Sequence, residues 1–160
     1  MKIKQKKIII AFIVALVLVV IDQIIKCNIP KEESIVIIEN FLDFTYVQNT
    51  GAAFGIGANN MASFIVVNLI ILGLVIRFLV TQIERMNIWT EIPIILILAG
   101  GSGNLIDRIF KGFVVDFIDI NNWIVFPVFN LADIYITIGW ILFVAITIIN
   151  YIRSQKEGKK

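Results

Sequence analysis

"VFNLADIYITIGWILFVAITIINYI", Val128 to Ile152, decides the fold. A helix needs about 20 apolar residues to cross a bilayer, and this stretch supplies them with a single charge, Asp133. An ionised side chain inside hydrocarbon costs roughly several kcal/mol unless it faces a protein interior or water. Asn130 and Asp133 both fall within the first two turns. The stretch therefore reads as a spanning helix that carries its function at one end.

The rest of the chain has the same character. Of its 160 residues 59% are hydrophobic and 16% charged, and the mean hydropathy is +0.92. A soluble domain would carry about a quarter charged residues, so this is an integral membrane protein. The net charge of +2 gives no reason to expect a nucleic-acid partner. A lone Cys27 excludes an internal disulfide, and with no His the usual zinc, haem and iron–sulfur ligand sets cannot be assembled. No metal and no cofactor is expected. The chemistry has to run on carboxylates, amides, hydroxyls, Lys and Arg.

Four segments have spanning length: Ile8 to Lys26, Met61 to Val80, Ile92 to Leu105 and Val128 to Ile152. The third is the weakest, because Gly100, Gly101 and Gly103 are expected to break its end, although Pro93 suits a first helical turn. The start, "MKIKQKKIIIAFIVALVLVV", has a basic stretch before an apolar one, like a cleavable signal peptide. No small-residue cleavage site follows, and Lys26 stands before Cys27 where lipoprotein processing would want a small residue. The segment is expected to stay as a first helix. The connections are too short for a second domain, so residues 1–160 read as a single four-helix membrane domain.

Lys and Arg near helix ends set orientation. Lys2, Lys4, Lys6 and Lys7 precede the first span, Arg153, Lys156, Lys159 and Lys160 follow the last, and Arg77 and Arg85 flank the connection between the second and third. Residues 28–60 hold only Lys31 against Glu32, Glu33, Glu39 and Asp43. Both termini are expected in the cytoplasm. Depth then follows for the polar residues. Asp22 and Lys26 lie near the outer end of the first helix, Asn104, Asp107 and Arg108 near the outer end of the third, and Asn130 and Asp133 at the outer start of the fourth. Three helices place polar groups at one level, which marks a site in the outer leaflet.

Between the third and fourth spans, "KGFVVDFIDINNWIVFPVFN" adds Asp116 and Asp119. Its alternation predicts a short strand or an extended return path with one of the two acids pointing inward. Two carboxylates converging on a water form a general acid/base pair that hydrolyses an amide without a metal, one member taking the water's proton while the other donates to the carbonyl. The segment "SIVIIENFLDFTYVQNTGAAFGIG" predicts one or two strands, with Phe44 and Tyr46 on one face and Asn49-Thr50-Gly51 as a turn. It is too apolar for a solvated loop and is expected to lie over the outer membrane surface as a small cradle. The fold class is thus an all-α integral membrane protein: four transmembrane helices, a small extracytoplasmic β-sheet and two cytoplasmic termini.

"DQIIK" (Asp22 to Lys26), "NTGAAFG" (Asn49 to Gly55), "GNLIDR" (Gly103 to Arg108), "GFVVDFI" (Gly112 to Ile118) and "FPVFNLADIYITIG" (Phe126 to Gly139) together resemble the lipoprotein signal peptidases, the type II signal peptidases of bacteria. The motifs stand in family order across nearly the whole chain. The resemblance implies an aspartic endopeptidase of the bacterial cytoplasmic membrane that removes signal peptides just before a diacylglyceryl-modified Cys. It implies prolipoprotein substrates and contact with membrane lipid, and the protein is expected to be monomeric. It carries the catalytic roles onto Asp116 and Asp133, and substrate-binding or supporting roles onto Asp22, Lys26, Asn49, Gly51, Asn104, Asp107, Arg108 and Asn130. Ser102 departs from a more usual apolar residue and leaves the catalytic assignment untouched.

Plainer readings stand beside these. Asp116 and Asp133 would serve only structure if paired with Arg108 or Lys111. Asp107 and Arg108 read more simply as a structural pair, and Asp22 and Lys26, four apart, as helix neighbours. Asp119 reads as a solvated loop residue, Phe44, Tyr46 and Trp123 as interfacial aromatics, and Lys2 to Lys7 as serving topology alone.

Overall fold

A computed structural model describes residues 2–51, 60–121 and 123–157. The elements run α1 (Ile3–Asn28), β1 (Ile35–Ile38), β2 (Leu42–Asn49), α2 (Met61–Gln82), α3 (Ile88–Lys111), β3 (Val114–Asp119) and α4 (Leu131–Glu157). The shortest helix has 22 residues, which at about 1.5 Å per residue covers the hydrocarbon thickness of roughly 30 Å. All four helices are long and apolar enough to cross a membrane.

The helices are not equivalent. In the most apolar window of α1, α2 and α4 only 22%, 11% and 11% of residues are buried, against 67% in α3. A helix that leaves apolar side chains uncovered does so at no cost in lipid, so α1, α2 and α4 form the perimeter and α3 the centre. The buried residues of α1 fall on one stripe, Ala11, Ala15, Val19, Asp22 and Lys26. That stripe is small along the membrane and polar at its outer end.

Two expectations about α3 are corrected. Its glycines do not break it: the helix continues through Gly100, Gly101 and Gly103 to Lys111 and ends at Gly112, whose φ of +77° is the left-handed cap glycine favours. The glycines instead allow close approach. A Cβ at Gly100 would stand 2.3 Å from the carbonyl oxygen of Ala132, and one at Gly139 of α4 would stand 2.9 Å from that of Pro93. Nor does Pro93 sit in the first turn. The helix begins earlier, where Asn87 Oδ1 accepts from Thr90 N at 3.1 Å and Thr90 Oγ1 accepts from Asn87 N at 3.0 Å, a reciprocal cap.

At the other end of α1, Lys7 does more than mark topology. Its Nζ donates to Glu91 at 2.7 Å and to the carbonyls of Met86 at 2.8 Å and Ile83 at 3.3 Å. It thereby satisfies carbonyls left free where α2 ends.

The three strands form one antiparallel sheet in the order β1-β2-β3. Asn40, at φ +58°, turns β1 into β2. β2 meets β3 in register from Asp43 opposite Asp119 to Asn49 opposite Val114, with a shift between Phe44 and Val47. On its other side β3 is held by Phe129, whose carbonyl accepts from Phe117 N at 2.9 Å and Ile118 N at 2.7 Å. The strand bearing Asp116 is thus pinned directly to the residue before Asn130.

The bulge falls between Phe44 and Val47 and so takes in Tyr46, and the two rings have different partners. Phe44 stands edge-on to Phe117 with centroids 5.3 Å apart, and Tyr46 lies under Lys31 Nζ at 5.9 Å. Phe44 therefore packs the sheet. Trp123, 68% exposed, meets Phe41 at 5.4 Å, as an interfacial ring would.

Candidate active site

Two turns of backbone deliver the acids. Asn130 caps α4: its Oδ1 accepts from Asp133 N at 2.9 Å, while Asp133 Oδ2 accepts from Asn130 N at 3.1 Å. This reciprocal cap fixes Asp133 in the first turn of the helix, where a carboxylate is favoured by the free N–H groups. Asp116 comes from the middle of β3 and is 3% exposed. Burial pushes its carboxyl from the usual 3.8 up to about 6; the neighbouring Asp133 charge adds to the rise, and hydrogen bonds from Asn49 and Asn130 oppose it.

Every oxygen of the two carboxylates accepts from an amide. Asp116 Oδ1 takes Asn130 Nδ2 at 2.7 Å, and its Oδ2 takes Asn49 Nδ2 at 2.8 Å. Asp133 Oδ1 takes Asn104 Nδ2 at 2.7 Å, and its Oδ2 takes Asn130 N. Asn130 thus bonds both acids, and it also donates to Asn104 Oδ1 at 3.1 Å. Neither Asp116 nor Asp133 makes a salt bridge among the described residues. The plainer reading, a structural ion pair with Arg108 or Lys111, fails: Lys111 is bonded to Asp107 at 2.7 Å. Arg108 donates to the carbonyls of Asn104 at 3.4 Å and Gly51 at 3.3 Å, and its guanidinium lies 5.7 Å from the Phe64 ring. Amide donors stabilise ionised carboxylates without neutralising them. Each oxygen also keeps a lone pair for a water or a shared proton.

The acids open onto a cavity of about 560 Å³ whose wall includes Asn49, Asn104 and Arg108. Along α4 the wall is Ile134, Ile136, Thr137 and Ile138, and it reaches the perimeter at Ile138, 44% exposed. A second, shallower cavity of about 290 Å³ lies between Gln48–Gly51 and Pro127, and Asp116 and Asn49 belong to both. The expected turn is present, with Gly51 N donating to Asn49 Oδ1 at 2.9 Å. The remainder of "NTGAAFG", residues 52–55, lies outside the described residues. Phe44 and Tyr46, expected as a cradle, line neither cavity among the described residues.

Asp22, Lys26 and Asp107 do not reach the cavity. They form a buried group behind it, at 0%, 2% and 0% exposure. Asp107 is paired with Lys26 at 3.1 Å and Lys111 at 2.7 Å, not with Arg108. Residues adjacent in a helix point about 100° apart, so 107 and 108 serve different faces. Asp119, at the end of β3, caps a turn by accepting from Asn121 N at 2.9 Å. Two contributors to this buried group are not among the residues expected there: Lys111, expected if anywhere beside Asp116 or Asp133, and Gln23. Lys111 follows Asp107 by four just as Lys26 follows Asp22, so the same spacing rule identifies it. Gln23, bonded to Asp22 and the Gly103 carbonyl at 3.2 Å each, carries no signal beyond its position.

The family model described as Signal peptidase (SPase) II matches residues 14–149. The lipoprotein signal peptidase of Staphylococcus haemolyticus is 37% identical over 96% of this chain and 99% of its own length. That of Streptococcus thermophilus is 36% identical over 82% of this chain and 87% of its own. A bacterial membrane enzyme structure obtained by the in meso method at 2.3 Å superposes with a TM-score of 0.79 at 36% identity, covering 94% of this chain and 91% of that one. A second, at 1.9 Å, gives 0.76 over 86% and 91%.

Proposed function

The chain belongs to the signal peptidase II family, a membrane protease that removes signal peptides from prolipoproteins, and we propose that it does so as an aspartic endopeptidase cutting before a diacylglyceryl-modified Cys. Asp116 and Asp133 are the acid/base pair. The observation that carries this reading is the amide cage. Two carboxylates from different elements, tied to one Asn130, make no salt bridge among the described residues and face one cavity.

One carboxylate, ionised, takes a proton from a water as its oxygen attacks the scissile carbonyl carbon. The other, protonated, donates to the carbonyl oxygen. The resulting tetrahedral gem-diol collapses when the first acid returns its proton to the amide nitrogen and the second takes one back from the diol. The C–N bond breaks, leaving a signal peptide with a new carboxyl end and a modified Cys with a free amine. Close carboxylates share a proton readily because both cannot ionise independently, which supports this division of roles. The Asn49 side chain and the Gly51 turn are suited to receive extended substrate backbone, whose polar groups are costly to leave unpaired. The apolar α4 wall ending at Ile138 suits sideways entry of a signal helix from lipid.

The Lys and Arg pattern supports cytoplasmic termini and a site in the outer leaflet. The test is incubation of the purified protein in detergent with a prolipoprotein in its diacylglyceryl-modified and unmodified forms. A size shift of the modified form alone is expected. Equal cleavage of both forms refutes the lipid requirement, and cleavage surviving in Asp133→Asn refutes the catalytic assignment.

A further inference from the structure

Asp22 and Asp107 share a placement that the catalytic reading does not use. Asp22 Oδ1 accepts from Ala132 N at 3.0 Å, the N–H immediately before Asp133. Asp107 Oδ2 accepts from Val115 N at 3.2 Å, the N–H immediately before Asp116. One buried carboxylate therefore grips the backbone ahead of each member of the pair. Lys26 Nζ lies between these grips, 2.9 Å from Asp22 Oδ2 and 3.1 Å from Asp107 Oδ2. Its third donor goes to Asn104 Oδ1 at 3.0 Å, and the Nδ2 of that same amide reaches Asp133.

From this geometry we propose that Lys26 is a positioning residue whose ammonium joins the two grips and so sets how Asp116 and Asp133 stand relative to each other. The proposal rests on reading those two aspartates as the catalytic pair. An ammonium has three donors and no acceptor, and all three are engaged here. The bond to Asp22 stays within α1, whose Asp22 grips the start of α4, and the bond to Asp107 ties α1 to α3, whose Asp107 grips β3. The third, together with Asn130 Nδ2 at 3.1 Å, fixes the amide of Asn104: turned over, it would set its NH2 against both donors and its oxygen against Asp133. Stability alone does not require such a group, because a buried ion pair is often replaceable by apolar side chains without loss. Nor is Lys26 needed to neutralise Asp107, which Lys111 already pairs.

The test compares Lys26→Gln with Lys26→Met, each in an Asp22→Asn background. Both lack the charge, Asn at 22 can still accept from Ala132 N, and Asp107 retains Lys111, so no buried carboxylate is left without its counter-ion. Gln keeps a donor and Met has none. The expected result is a kcat for the Met variant about tenfold or more below that of the Gln variant, the loss that follows when a hydrogen bond to a charged group is removed. KM should agree within about threefold, the split expected when alignment rather than binding is lost, and the two unfolding midpoints should match. Equal kcat in the two variants overturns the proposal, as does a kcat deficit that tracks a lower midpoint. If either double variant fails to fold, Asp107→Asn decides: a kcat reduced about tenfold at unchanged KM is expected, and a wild-type kcat overturns the proposal. Asp116→Asn is run alongside. Cleavage surviving there removes the catalytic reading itself, separately from any result at Lys26.

Discussion

Replacing Asp116 by Asn should change stability in a way that depends on pH. In the folded protein its carboxyl is pushed from 3.8 to about 6, chiefly by burial. Below pH 4 the group is protonated both folded and unfolded, and its burial carries no charge penalty. Between pH 4 and 6 the unfolded chain gives up the proton while the folded chain keeps it, so the wild type loses stability as pH rises. Above about pH 6 both states are ionised and the loss is complete. At about 1.4 kcal/mol per pH unit, the displacement corresponds to roughly 3 kcal/mol. With 3% of the residue exposed, little of this is screened by solvent.

The Asn variant escapes that loss but meets a cost of its own. Both Asp116 oxygens accept amide N–H groups, from Asn130 and Asn49, so one of those donors must face the new NH2, at about 1–3 kcal/mol irrespective of pH. At pH 4 the variant should therefore be the less stable protein. The gap should close by roughly 2 kcal/mol on going from pH 4 to pH 6.5 and stay level above it, leaving the variant no less stable than the wild type near neutrality. Unfolding of both proteins in one detergent, at pH 4, 5, 6 and 7 and fixed ionic strength, measures this, while cleavage is followed in parallel and should be absent in the variant throughout. A gap that is flat across this range would show that folding does not raise the Asp116 carboxyl.

Cleavage by the wild type should give a bell-shaped pH profile, since one acid must be ionised and the other protonated, and incubation with EDTA should leave the rate unchanged; loss on chelation with recovery on adding a divalent ion refutes the assignment. Asn49→Ala removes the donor to Asp116 Oδ2 and the acceptor for Gly51 N, and should lower kcat/KM about 10- to 100-fold, the equivalent of one hydrogen bond to a charged group; a rate within twofold of wild type sinks this role. Gly100→Ala puts a methyl where the Ala132 carbonyl lies 2.3 Å away, so it should depress the unfolding midpoint and turnover together, and an unperturbed midpoint counts against the close α3–α4 seam. A Cys introduced near Lys160 should react with a membrane-impermeant thiol reagent only after spheroplasts are broken; labelling of intact spheroplasts reverses the topology.

The four spans, the three strands and the level of the polar residues were legible because each rests on a local rule: spanning length, alternation, and charge confined to helix ends. What was misread depended on contacts between elements. Gly100, Gly101 and Gly103 look like helix breakers in isolation, and in water a glycine does weaken a helix by about 1 kcal/mol. Inside a bundle in lipid the backbone has no solvent to bond instead, and the missing side chain becomes room for a neighbouring helix. Lys7 looked like one of several interchangeable cytoplasmic cations. Nothing in its surroundings along the chain distinguishes it from Lys6, and only the ends of α2 and α3 do.

The same division runs through the site. Asp133 could be singled out because an acid in an apolar setting is conspicuous, whereas the choice of Asp116 over Asp119 rested on the family resemblance, and the partners of neither acid could be matched by type. Asp107, beside Arg108 in the chain, bonds Lys26 from another helix and Lys111 a turn away, whereas Arg108 meets carbonyls. Sequence distance misleads here because a helix separates neighbours and joins residues four apart. The consequence is mechanistic. With Lys26 and Lys111 committed to Asp22 and Asp107, no lysine ammonium is paired with the two aspartates over the cavity. Four formal charges, Asp22, Lys26, Asp107 and Lys111, pair among themselves behind the wall, so the oxygens of Asp116 and Asp133 are held by amide donors, the setting that the proposed proton exchange between them requires.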